Sequence, residues 1–65
     1  MFRCFVRNWW TPNPAYPGGL EPRPGRKHTI ARHVKTEAEA QAICRQYNTT
    51  HRPGRLSRKA EYEET

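Results

Sequence analysis

Residues 36–48, TEAEAQAICRQYN, decide how the rest of this chain is read. Thr36 followed three positions later by Glu39 forms a capping box, in which each side chain satisfies the other residue's backbone N–H. Glu37 and Glu39 also suit the positive end of a helix dipole. Ala40, Ile43, Cys44 and Tyr47 then recur at i, i+3, i+4 and i+7, which is one apolar stripe. Gln41, Arg45 and Gln46 fall on the opposite, water-facing side. Asn48 reads as the stop, with Thr49 and Thr50 continuing the break. The spacing predicts a helix over 37–48 whose stripe is buried against a sheet.

Two segments upstream supply that sheet. Residues 2–10, FRCFVRNWW, alternate with the period of a strand. Phe2, Cys4, Val6, Asn8 and Trp10 share the natural core face, while Arg3, Phe5, Arg7 and Trp9 share the other. Residues 28–34, HTIARHV, form a second strand with Ile30 and Val34 inward. Arg32 falls between them on the same face, so either its stem snorkels past the core edge or a bulge resets the phase. Between the strands, residues 11–27 hold five of the six prolines and three of the four glycines. Proline lacks a ladder donor and fixes φ, so this stretch reads as a long loop with polyproline II character. Pro17-Gly18 fits a type II turn, and Tyr16 and Leu20 can tack the loop onto the body.

After the helix, residues 51–65 read as a basic arm with a second turn at Pro53-Gly54. Ser57 can cap a short helix through Tyr62; a third strand carrying Leu56, Ala60 and Tyr62 is the alternative. The expected fold is a single α+β domain over residues 1–65 of β-β-α order. A two-stranded antiparallel sheet packs on one amphipathic helix, with a long Pro/Gly-rich loop and a basic C-terminal arm. Its core would draw on Phe2, Cys4, Val6, one tryptophan, Ile30, Val34, Ala40, Ile43, Cys44, Tyr47 and Leu56.

Sixty-five residues make one domain, because so short a chain buries only about 60% of its unfolded surface. The net charge is +6. Through residue 60, twelve lysines and arginines face three glutamates, a local +9, and Glu61, Glu63 and Glu64 come last. Nine of the twelve cations are arginine, which favours bidentate contacts with carboxylate or phosphate. Such a body calls for nucleic acid or an acidic protein surface as partner. No stretch approaches the roughly 20 apolar residues of a membrane span, and no apolar signal core follows Met1. The chain therefore reads as cytoplasmic without a membrane partner, and the sequon Asn48-Thr49-Thr50 as accidental.

Few residues invite chemistry. Cys4 and Cys44 stand 40 positions apart and both fall in apolar stripes, where cysteine behaves as a small hydrophobe. Strand and helix would bring them together, but a cytosolic setting argues against a disulfide. His28 and His33 lie on opposite faces of a regular strand, so no zinc site is expected. The chain has no aspartate, no Gly-Lys-Ser/Thr phosphate loop and no exposed cysteine–histidine pair. The expectation is no enzyme, no metal and no cofactor.

Binding is the better prospect. Phe5 and Trp9 can stack on bases while Arg3 and Arg7 meet phosphates, as single-strand binding sheets do; alternatively, Phe5 and Trp9 form a second small core under the proline loop. Arg52, Arg55, Arg58 and Lys59 add a second basic cluster, or else a solvated tail onto which the acidic end folds back.

The run TEAEAQAICRQYNTTHRPGRLSRKAEYE, residues 36–63, resembles the C-terminal half of small accessory proteins encoded by phages and bacterial genomes. Three elements recur together in that comparison: T-E-x-E-A, I-C-x-x-Y-N and P-G-x-L-S-R-K-A-E. The resemblance implies a phage or prophage accessory protein acting in the host cytoplasm, and a segment Pro53–Lys59 ordered against the helix end. The combined expectation is a small, basic, non-enzymatic binding protein associated with nucleic acid. The alternative is a protein-interaction factor that modulates a host enzyme or complex. A homodimer through a free edge strand is compatible with both.

Overall fold

Alternation in FRCFVR does produce the central strand, but the strand stops at Arg7, three residues earlier than the pattern suggested. The computed structural model describes residues 1–65. In chain order it comprises β1 (Phe2–Arg7), β2 (Thr11–Pro12), a 3-10 turn (Pro17–Gly19), β3 (Leu20–Glu21), β4 (His28–Val34), α1 (Glu37–Thr50) and β5 (Lys59–Glu64). The α+β class holds. The sheet is three-stranded and antiparallel in the order β4-β1-β5, not two-stranded, and β2 pairs with β3 in a separate ladder. Of the two readings of residues 51–65, a strand with Ala60 and Tyr62 inward is the one present, but it starts at Lys59, so Leu56 lies in the turn before it.

The core lies between α1 and one face of this sheet. Cys4, Val6, Val34, Ala40, Cys44 and Ala60 form it, with Phe2, Ala31, Ile43, Tyr47 and Tyr62 partly buried around it. Phe2, Cys4 and Val6 sit opposite Glu64, Tyr62 and Ala60 of β5, so one face of each strand meets the helix. Ala40 is 0% exposed, and its C=O accepts a weak hydrogen bond from the Cys4 Sγ at 3.7 Å. Both cysteines are buried and free.

The awkward phase of β4 is resolved by bulges. Phe2 pairs with Val34, Cys4 with Ala31, and Phe5 with Thr29, so β4 gains one residue on β1 in each step. His33 takes φ 55°, a left-handed conformation that absorbs the first extra residue. Val34 and Ala31 therefore oppose β1, whereas Ile30, expected inside, is 40% exposed. It lines a shallow groove with Ile43 and Tyr47 instead. Leu56 and Trp10 also leave the expected core: Leu56 is only half-buried, and Trp10 is 37% exposed beyond the end of β1.

The helix begins where its cap requires. Thr36 is extended, and its Oγ1 accepts from Glu39 N–H at 3.2 Å. The return half of the box is not made: Glu37, not Glu39, reaches outward, accepting from the Tyr62 hydroxyl at 2.8 Å. At the other end the helix runs two residues past Asn48. Thr49 and Thr50 donate back to the carbonyls of Arg45 and Gln46 at 2.8 and 2.9 Å, so they extend the last turn in place of breaking it. Asn48 serves β5. Its side-chain amide donates to Ala60 C=O at 3.3 Å, and its oxygen accepts from Ala60 N–H at 2.8 Å.

Residues 11–27 are more ordered than a structureless loop. Gly19 N–H donates to Tyr16 C=O at 2.9 Å across Pro17-Gly18, where Gly18 has φ 73°. That is the type II turn expected there, and it closes the β2–β3 hairpin. A radius of gyration of 13.3 Å exceeds the roughly 11 Å of a compact chain of this size. The molecule is accordingly elongated, 42 × 23 × 13 Å. No helix is long and apolar enough to cross a membrane.

Candidate nucleic-acid interface

The two basic clusters foreseen in the sequence have different fates. On the sheet face away from α1, Phe5 is 2% exposed. It lies beneath three cations: Arg3 at 5.3 Å, Arg7 at 5.6 Å and Lys27 at 4.7 Å from the ring centroid. β5 places carboxylates beside these cations, because Glu61 and Glu63 stand opposite Phe5 and Arg3 in the ladder. Arg7 Nε contacts Glu61 at 3.0 Å, Arg3 contacts Glu63 at 3.0 Å, and Lys27 contacts Glu63 at 2.7 Å. Glu63 is held below the usual carboxylate range, chiefly by the Lys27 hydrogen bond and then by the charges of Lys27 and Arg3.

This face therefore presents no ring of Phe5 for stacking, and a phosphate there must displace a carboxylate. Phe5 alone is buried on this face, covered by Arg3, Arg7 and Lys27, the last residue of the proline-rich stretch, with no contribution from Tyr16 or Leu20 among its ring contacts. The acidic end folds back on Arg3, Arg7 and Lys27 and leaves the Arg52–Lys59 cluster unpaired.

That second cluster borders a groove. β1 ends, β4 begins and β5 begins at the same end of the sheet, and three irregular segments converge there. Trp9 and Trp10 N–H both donate to Leu56 C=O, at 2.9 and 3.1 Å. Gly25 N–H donates to Asn8 C=O at 2.7 Å. The segment 8–10 is thus held between the turn after the helix and the proline-rich stretch before β4. A groove of about 520 Å³ opens between them, lined by Trp9, Trp10, Pro22, Pro24, Ser57, Lys59, Ala60 and Glu61.

The Pro53–Ser57 turn is ordered by Ser57 N–H to Gly54 C=O at 3.2 Å and Arg58 N–H to Pro53 C=O at 2.9 Å. Gly54 and Ser57 take φ 69° and 52°. The turn docks on the segment after β1 and on the hairpin, where Arg55 packs close to Gly19. Arg52, Arg55 and Lys59 are exposed and Arg58 half-buried, with no carboxylate within ion-pair distance of any of them.

Trp9 joins the two regions. The Arg7 guanidinium lies 4.7 Å from its ring centroid and covers one of its faces. Trp10, assigned from alternation to the core, is the site residue the sequence reading missed. A usable signal was the adjacency of two indoles to proline at the strand end, where parity no longer applies.

No cluster of three or more metal-binding side chains is present. Burial, and then the neighbouring Cys4 thiol and Glu61, push the Cys44 thiol up from 9.0 to about 11. It stays protonated near neutral pH and is a poor nucleophile. The chain matches no protein-family model, no curated protein and no solved structure.

Proposed function

We propose that the protein is a small non-enzymatic nucleic-acid-binding protein whose phosphate contacts come from Arg52, Arg55, Arg58 and Lys59. One observation carries this reading. The three ion pairs engage only Arg3, Arg7 and Lys27, so nine of twelve cations lack a carboxylate partner, including all four of this cluster. Unpaired arginines held on an ordered turn retain their capacity for bidentate phosphate contacts. Of the other half of the expected interface, Arg3, Phe5 and Arg7 support the sheet beside this surface, and Trp9 lines the adjoining groove.

The test is fluorescence anisotropy of a labelled oligonucleotide across a salt series. Four phosphate contacts to a single strand give a slope of log K against log salt of about −3. Arg55→Glu with Lys59→Glu should make the slope shallower and weaken binding for every sequence. Absence of binding to any nucleic acid at low salt, about 50 mM, would refute the reading.

A second reading, a protein-interaction factor, rests on a different surface. Ile30 is 40% exposed on the outer strand β4, beside the groove lined by Ile43 and Tyr47. A specific host protein retained by nuclease-treated pull-down, and lost in Ile30→Glu, would favour it.

A further inference from the structure

We propose that the groove between Trp9, Trp10, Pro22 and Pro24 takes unpaired bases, which makes the ligand a single strand and not a duplex. This rests on the nucleic-acid reading above and adds the class of ligand.

The groove combines what a base and its phosphate each require. Two indole and two proline rings line it together with Ser57, Lys59 and Glu61, whose carboxylate is neutralised by Arg7. A volume of about 520 Å³ falls within the range of small-ligand clefts. Aromatic stacking is indifferent to base identity, because every base has a π-face. Arg7 already covers one face of Trp9, which steadies that ring and leaves Trp10, 37% exposed, as the free platform. Backbone bonds from both tryptophan N–H groups to Leu56 C=O fix the segment that carries them. Lys59 lines the groove with Trp10, and Arg58 precedes it in the chain, so cations stand in the segment that borders the platform.

A duplex fits the molecule less well. Its bases are already stacked on one another, so an indole platform gains nothing from them without flipping. An α-helix is one of the elements a major groove admits, and to read bases there it needs an exposed face of base- and phosphate-contacting side chains. α1 carries two glutamates and a single arginine, and its stripe is spent on the core.

The experiment compares an oligothymidine of about 12 nucleotides with a duplex of the same length, by anisotropy and tryptophan quenching at one low salt concentration. The single strand should bind at least about tenfold tighter and quench indole emission. Trp10→Ala should weaken single-strand binding roughly 5- to 150-fold, the effect of losing one stacked base. The salt slope should stay unchanged, and Trp10→Phe should restore most of the affinity. Trp10 lies outside the core, so these variants are expected to fold with the native circular dichroism spectrum.

Equal binding of duplex and single strand, or salt-dependent binding that Trp10→Ala leaves intact, would overturn the groove assignment while the basic-surface reading stands. No binding of either nucleic acid would remove both.

Discussion

Asn48 offers the sharpest test of how β5 is held. Its side chain makes two hydrogen bonds to the backbone of Ala60, 2.8 and 3.3 Å long, and Ala60 is 6% exposed. Replacing Asn48 by alanine leaves a shielded N–H and C=O on the outer side of β5 without partners, at about 1–3 kcal/mol for such groups. Alanine is the better helix former by roughly 0.5 kcal/mol, which offsets part of the loss. The expected net cost of Asn48→Ala is thus about 1.5 kcal/mol, a fall in Tm of roughly 6–12 °C for a domain of this size. Urea denaturation followed by far-ultraviolet circular dichroism measures it, with Thr49→Ala as control. Thr49 is exposed and bonds only within its own helix, so the control should lie within about 0.5 kcal/mol of the parent. A cost below about 0.5 kcal/mol for Asn48→Ala would refute the reasoning, since it would mean that water satisfies Ala60 equally well.

Three further outcomes follow from named contacts. Thr36→Ala removes the acceptor for Glu39 N–H and should lower stability by about 1 kcal/mol in the same denaturation experiment; an unchanged midpoint would show the cap to be idle. His33 sits at φ 55°, so His33→Gly should be neutral to about 1 kcal/mol stabilising, whereas His33→Val should destabilise by about 1–2 kcal/mol. The reverse order would discount the bulge. Cys44 has its pKa raised from 9.0 to about 11, so the native state favours the protonated thiol. Its contribution is complete below pH 9 and lost as pH rises toward 11, at a slope of up to about 1.4 kcal/mol per pH unit. Alkaline melts of Cys44→Ala should show a shallower decline across that window than the parent, and equal slopes would count against the buried thiol as the cause.

What was legible in the sequence was what depends on local pattern. The T-x-x-E cap, the stripe of Ala40, Ile43, Cys44 and Tyr47, and the alternation of Phe2, Cys4 and Val6 each concern residues within a turn or a pleat of one another. The third strand was read only as an alternative because KAEYEE offers one alanine and one tyrosine to the core, among residues of low strand propensity. Its pairing is decided by partners far away: Arg3 and Arg7 for its glutamates, Asn48 for Ala60, and Glu37 for Tyr62. The extra residues in β4 were foreseen as one of two answers to the position of Arg32. Alternation past Arg7 misled the assignment of Trp10, because Asn8 hands the chain to a turn bonded to Leu56 and Gly25, where facing no longer follows parity. The groove was invisible for the same reason, being built from three loops that only the closed sheet brings together.

The distribution of charge sharpens the functional argument beyond the net value. Around Phe5, three cations meet Glu61 and Glu63, leaving a local +1. α1 carries Glu37, Glu39 and Arg45, a local −1. These two regions cancel, so the whole net charge of +6 resides on the remaining residues: the proline-rich stretch, the bulged outer strand and the turn after the helix. Had the glutamates of β5 been spread evenly along the chain, Arg3, Arg7 and Lys27 would repel one another over one buried ring, and the loops would approach neutrality. Concentrating acids in one strand lets the sheet close while the irregular segments keep their positive field. A field concentrated on the irregular segments beside an indole-lined groove, and absent from the helix, is the arrangement on which the proposed single-strand binding rests.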